Sequence, residues 1–197
     1  MADFATALAY LTPDEGGMSP DGTTKYGITS DEAATVGYSG DLASMPYDPY
    51  VAAYLEPNYW EPILGDQIAN QGPASAIFDI AVLTGLGGAG QITQAALAQL
   101  GIPVTMDGVI GPETIAAVNS ADPNDFVSAF SAQAESYLLA LPQAANNPGW
   151  QARAERLQTL QTGIAGMVAV ATTNPLTTTA IIAAAVLAGA FLVRGRK

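Results

Sequence analysis

One stretch of the chain combines residue types able to do chemistry on a polar, extended ligand. It begins with Glu15-Gly16-Gly17 and continues through Asp21-Gly22-Thr23-Thr24-Lys25-Tyr26-Gly27-Ile28-Thr29. A lone carboxyl at the end of a short apolar segment stands next to a glycine-rich loop carrying hydroxyls. That arrangement suits proton transfer to or from a hydroxyl-rich substrate. The same residue types also make ordinary surface turns, because Gly, Asp and Ser are favoured wherever the chain reverses. Which reading holds depends on the rest of the chain.

Composition narrows the chemistry. The 197 residues contain no histidine and no cysteine. Ser-His and Cys-His nucleophilic machinery, imidazole shuttles, disulfides and thiolate or imidazole metal sites are therefore excluded. No nucleotide-binding loop and no metal cluster is visible, so neither a cofactor nor a metal is expected. Acid–base work must rest on carboxylates, assisted by Tyr or Lys. All 18 acidic residues precede residue 176, where the only bases are Lys25, Arg153 and Arg156. A body so negative is not expected to bind nucleic acid through its phosphates.

The elements that must position the stretch are mostly helical, with few alternating strand patterns. Residues 3–11 read as a short helix with Phe4, Ala7, Leu8 and Leu11 on one face. Pro13 stops it, so Glu15 falls at or just past its end. Thr29 and Glu32 have the spacing of a capping box for a second helix, 29–36. Asp48-Pro49 offers an N-cap and first-turn proline for a third, which Pro57 kinks or ends before Tyr59-Trp60. Pro73 opens an apolar, hence buried, helix over 74–83. Asp79 lies inside it and needs a partner, with capping of a neighbouring element favoured over catalysis. The glycines of 85–90 break the chain before a helix over 92–100. A turn at 107–111 leads into a helix started by Pro112, Asp122-Pro123 starts a longer one, and 150–160 is the last of this body.

Residues 176–193 are different: 18 residues without a charge, closed by Arg194, Arg196 and Lys197. At 1.5 Å per residue they reach roughly 27 Å, about one hydrocarbon core, and the basic flank favours a membrane anchor over a buried core helix. Residues 163–175 form a connector and 194–197 a basic tail. The N-terminal segment lacks the basic and apolar regions of a secretory signal.

Several of these motifs, in order, resemble glycoside hydrolase family 108: Glu15-Gly-Gly, the run from Gly22 to Thr29, Tyr59-Trp60-Glu61-Pro62-Ile63, and Phe78-Asp79-Ile80-Ala81-Val82. The run from Asp107 to Thr114 and Gly149-Trp150-Gln151-Ala152-Arg153 resemble the peptidoglycan-binding-like half that accompanies that family. The chain departs from the pattern in a shortened 17–23 loop with one glycine where two adjacent are expected. It departs again at Leu83-Thr84, where an Asn generally follows.

The resemblance implies a lysozyme-like helical domain: a muramidase part over 1–88, a peptidoglycan-binding-like part over 89–162, and the transmembrane helix after them. It implies an N-acetylmuramidase acting on the glycan strand, with Glu15 as proton donor. A general acid needs its pKa raised from about 4.3 toward 6, a cost of about 2 kcal/mol. The second carboxylate is open, with Asp21 preferred and Asp31 behind it. An inverting enzyme needs it about 6.5–9.5 Å away, a retaining one about 5 Å. Thr23, Thr24, Tyr26, Thr29, Tyr59 and Trp60 are candidates for holding sugar, although for the two aromatics burial in the core is the favoured alternative.

The expected location is a membrane, through 176–193: the internal membrane of a lipid-containing phage, where other virion proteins would be neighbours, or a bacterial envelope. Two alternatives stay open. A lytic transglycosylase needs one acid and no water-activating base, and a non-catalytic glycan-binding envelope or virion protein could keep the same fold.

Overall fold

The structure is a computed structural model, described over residues 1–11, 17–19, 21–142, 144 and 149–161. Glu15 and the apolar segment 176–193 lie outside the described residues. The body is mostly helical. Helix α1 (Phe4–Leu11) is followed by a two-stranded antiparallel ribbon, β1 (Thr24–Lys25) and β2 (Ile28–Thr29), with Thr24 opposite Thr29 and Lys25 opposite Ile28. Helices α2 (Ser30–Thr35) and α3 (Tyr50–Leu55) complete the small polar lobe. Then come α4 (Gln71–Gln99), α5 (Pro112–Ser120), α6 (Pro123–Ala140) and α7 (Gly149–Arg156).

Local sequence sets most helix starts. Asp3 accepts from the Thr6 amide and hydroxyl, both at 2.9 Å, and so caps α1. Thr29 and Glu32 form a complete capping box on α2. Asp122 accepts from the amides of Asn124 and Asp125, with Pro123 at the first position of α6. Asp48 does not cap α3; Pro49 occupies that position without a side-chain bond. After Leu55 the chain continues as a wide π-type turn over Glu56–Trp60, which holds Pro57 in its first turn where no helical amide is needed.

The centre is α4. It starts at Gln71, before Pro73, and consists of two helical runs that meet at a kink. Only Gly85 is non-helical, with φ 77° and ψ 167°, and the helix resumes beyond it. The break expected over 85–90 is thus present at Gly85, but the second run begins directly after it rather than at Ile92, and Gly90 serves packing. A Cβ on Gly90 would stand 2.0 Å from the Gly108 carbonyl oxygen, so the small residue lets the 107–111 turn lie against the helix. Among the described residues, α4 alone is long and apolar enough to cross a membrane, but 61% of its most apolar window is buried inside the protein. It is the core helix. Helix α6 lies along it, α1 packs on its first half, and α7 packs on α6. The buried apolar residues form one cluster that runs from Leu11 and Trp60 through Phe78 and Ile92 to Phe126, Phe130 and Leu157.

Candidate active site

The Tyr26 amide donates to the Gly17 carbonyl (2.9 Å), and the Ser19 amide donates to the Thr24 carbonyl (2.8 Å), so 17–19 lies alongside the ribbon. The ribbon turns at Tyr26-Gly27, both with positive φ, 55° and 76°. Positive φ at two successive residues is what a tight, right-twisted hairpin demands, and an aromatic in that region stores strain. Tyr26 is held there by neighbours. Its ring meets Tyr47 edge-on at 5.2 Å, and the Lys25 ammonium lies over it at 5.3 Å. Lys25 also donates to the Ala43 carbonyl, which ties the hairpin to the following loop.

Asp21 sits on this hairpin, exposed, with one oxygen already engaged. Its Oδ1 accepts from Ser19 Oγ (2.6 Å), Thr23 Oγ1 (2.8 Å) and the Thr23 amide (3.1 Å). Those donors, the Ser19 hydroxyl first, lower its pKa to about 2. Asp21 is therefore an anion at any ordinary pH, and its bonds close the turn. Such a carboxylate is a weak proton acceptor but a steady negative charge. Thr23 spends its hydroxyl on Asp21, and Thr24 donates its amide to Ser19 Oγ at 2.9 Å. Thr29 donates its hydroxyl to Glu32 Oε2 at 2.8 Å, within the cap. Asp31 occupies the first turn of α2 and is exposed.

The two aromatics separate. Tyr59 is half-buried and meets Tyr54 edge-on at 6.4 Å, and Tyr54 in turn donates to Glu32, linking this pair to the base of the hairpin. Trp60 is 1% exposed, packs between Phe4 and Phe78 at 5.9 and 5.7 Å, and donates its indole N–H to Asp66 at 2.8 Å. It has no face to offer a sugar. Its expected role in substrate binding is corrected: the indole belongs to the core, where its N–H has found a partner.

Asp79 is fully buried. Its carboxylate meets Arg153 Nε at 3.1 Å and Arg156 Nη2 at 3.4 Å, both from α7. Arg153 also donates to the Asp79 carbonyl (3.2 Å), and Arg156 donates to the carbonyl of Tyr10 (3.1 Å) while stacking 4.0 Å over that ring. Burial pushes the Tyr10 hydroxyl up to about 12, so the ring that faces Arg156 is neutral. The network joins the last turn of α1, the middle of α4 and α7. Sequence reading supplied the need for a partner but not its identity. The available signal was that Arg153 and Arg156 stand one helical turn apart and are two of only three bases before residue 176.

Beside the network is an open cavity of about 410 Å³, lined by Leu83, Trp150, Ala152, Arg153, Arg156 and Gly149. Among the described residues no group of three His, Cys, Asp or Glu could hold a metal.

The family model described as Glycosyl hydrolase 108 matches residues 8–85, and that described as Predicted Peptidoglycan domain matches residues 88–157. The first of these spans is similar to glycosyl hydrolase family 108, and the second to the peptidoglycan domain. The solved structure of Brucella abortus SagA is similar at 26% identity and a TM-score of 0.65, covering 79% of this chain and 91% of that one. No curated protein matches. The chain is a glycoside hydrolase of the N-acetylmuramidase, lysozyme-like type, and peptidoglycan is its substrate. The two matched spans meet within α4, and the buried cluster and the Asp79 network both cross that boundary.

Proposed function

We propose that this glycoside hydrolase cleaves the β-1,4 bond between N-acetylmuramic acid and N-acetylglucosamine, with Glu15 giving its proton to the glycosidic oxygen. The observation that carries the reading is the position of Glu15-Gly16-Gly17 inside the matched 8–85 span, between α1 and a hairpin that presents Asp21, Thr23, Thr24 and Tyr26. With no imidazole or thiol anywhere in the chain, a carboxylic acid is the proton donor this sequence can supply. Asp21 then serves as a fixed negative charge facing the oxocarbenium-like transition state, since its hydrogen bonds keep it ionised. The 1–88 span carries the cutting chemistry and 89–162 grips the wall. Residues 176–193 anchor the enzyme in a membrane, that of a bacterial envelope or of a lipid-containing phage particle.

The test is digestion of purified peptidoglycan by the full chain in detergent, with fragments identified by mass. Reducing muramic ends that disappear with Glu15→Gln establish the reaction and its acid. Anhydromuramic ends would replace hydrolysis by a transglycosylase reaction, and intact glycan with the native chain would overturn catalysis. Deleting 176–197 should move the protein from the membrane fraction to the soluble one, and its presence in purified particles decides between the two membranes.

A further inference from the structure

The cavity beside the Asp79 network has a composition unlike the rest of this acidic protein. Of the three bases before residue 176, two line it, Arg153 and Arg156, with side chains 11% and 26% exposed. A half-buried aromatic, Trp150, and the aliphatic Leu83 share the wall. Its volume, about 410 Å³, is that of a site for a small peptide or one to two sugars. The guanidiniums are already oriented, because Asp79 and the carbonyls of Asp79 and Tyr10 hold them, so little rotamer freedom is left to lose on binding. A planar, pre-oriented guanidinium is the side chain best matched to a carboxylate.

The cavity is also composite. Leu83 comes from the span matched by the hydrolase family, whereas Trp150, Arg153 and Arg156 come from the span matched by the peptidoglycan domain. Arg156 reaches the Tyr10 carbonyl, in the last turn of α1, which brings the cavity to the end of the helix that leads toward Glu15.

Peptidoglycan differs from other N-acetylhexosamine polymers in the stem peptides on its muramic acid residues, and those peptides carry free carboxylates. A protein with 18 acidic and six basic residues repels such groups over most of its surface. We propose that the cavity of Trp150, Arg153 and Arg156 receives the carboxylate-bearing stem peptide, so that the second half of the chain sets which strands the first half cuts. The proposal rests on peptidoglycan being the substrate. It assigns to 88–157 a direct part in substrate selection at the cleft, beyond holding the enzyme on the wall.

The experiment measures binding of two soluble fragments to the full chain in detergent, carrying Glu15→Gln so that neither is consumed. One fragment is the disaccharide with its stem peptide, the other the same disaccharide after the peptide has been removed. The native cavity should prefer the peptide-bearing fragment by roughly ten- to a hundredfold, the range of a charge-assisted hydrogen bond. Arg153→Gln, which can still donate to Asp79, should erase most of that preference, and Arg153→Lys should retain a part of it. Trp150→Ala should weaken the peptide-bearing fragment several-fold, with circular dichroism unchanged. Equal binding of the two fragments, or a preference that survives both Arg153→Gln and Trp150→Ala in folded protein, would overturn the proposal. Because binding is read without turnover, this outcome is separate from failure of the hydrolytic reading, which appears as native protein that releases nothing from the wall.

Discussion

Between Gly17 and Thr29 the chain is fixed by hydrogen bonds between residues close in sequence: Ser19 to Asp21, Thr23 to Asp21, Tyr26 to Gly17. Between α4, α6 and α7 it is fixed by burial, with Ile77, Phe78, Ile92, Phe126, Phe130 and Leu157 at most 1% exposed and one buried charge network among them. The first region is polar, exposed and able to meet a glycan. The second is a buried apolar stack that opens to solvent at the cavity of Trp150, Arg153 and Arg156. The difference is one of support: the polar stretch is tied to α2 and to the 42–44 turn over a core of its own span (Leu11, Ile28, Val51, Leu55, Trp60 and Phe78), and α4 carries that core on into the second matched span. The two matched spans thus share one buried core over the described residues.

Removing the proposed acid should produce the largest effect on activity and the least on the helical stack. Glu15→Gln is expected to lower glycan release by roughly 10²- to 10⁴-fold, the usual worth of a general acid, as read by fragment mass, with the far-ultraviolet dichroism kept. Asp79→Ala does the reverse. It removes the carboxylate that holds the Arg153 and Arg156 guanidiniums and should cost about 3–5 kcal/mol, seen as a lower denaturant midpoint, and it should reduce activity through the loss of folded protein and of the ordered cavity those side chains line. If Asp79→Ala left stability unchanged, the two regions would not be coupled as described.

A smaller effect tests the close approach within the stack. Gly90→Ala forces a methyl against the Gly108 carbonyl and should destabilise by about 1–3 kcal/mol. Gly87→Ala, where a Cβ meets nothing within 4 Å, should be neutral or stabilise by up to about 1 kcal/mol. In the polar region, Thr29→Ala breaks the capping box and should cost about 1 kcal/mol, measured by the same denaturant titration.

The smallest effect is on pH dependence. The Asp21 pKa is depressed in the fold, so its contribution is fully present above its ordinary value near 3.8 and is lost as pH falls through about 2. Asp21→Asn should therefore remove a hairpin-ordering effect that NMR sees above pH 4 and that fades below it. A titration midpoint near 3.8 would show that the three hydrogen bonds to Oδ1 are not maintained in solution.

Much of this was legible before any coordinates. The helix over 3–11, the Thr29–Glu32 box, the Pro112 and Asp122-Pro123 starts and the mostly helical body follow from local rules, because caps and first-turn prolines act within a few residues. The resemblance in motif order also reached the family. The break in the glycine run is confined to Gly85, which the sequence does not single out, because a glycine that ends a helix and one that admits a neighbouring backbone look identical in sequence. Trp60 was left open between sugar and core for a similar reason, since an aromatic after a proline carries no mark of which way it faces.

By itself the sequence determined the chemistry the chain can attempt. With no histidine or cysteine and with a single Glu-Gly-Gly motif, acid catalysis falls to a carboxyl, and the uncharged 176–193 segment sets the expectation of a membrane. Only the tertiary structure decided that Asp79 is met by Arg153 and Arg156, 74 and 77 residues further along the chain, and that Trp150 stands with them at one cavity. The reason is physical. Caps and turns are satisfied within one turn of backbone, whereas a buried charge accepts any partner that the packing of α4, α6 and α7 brings within reach.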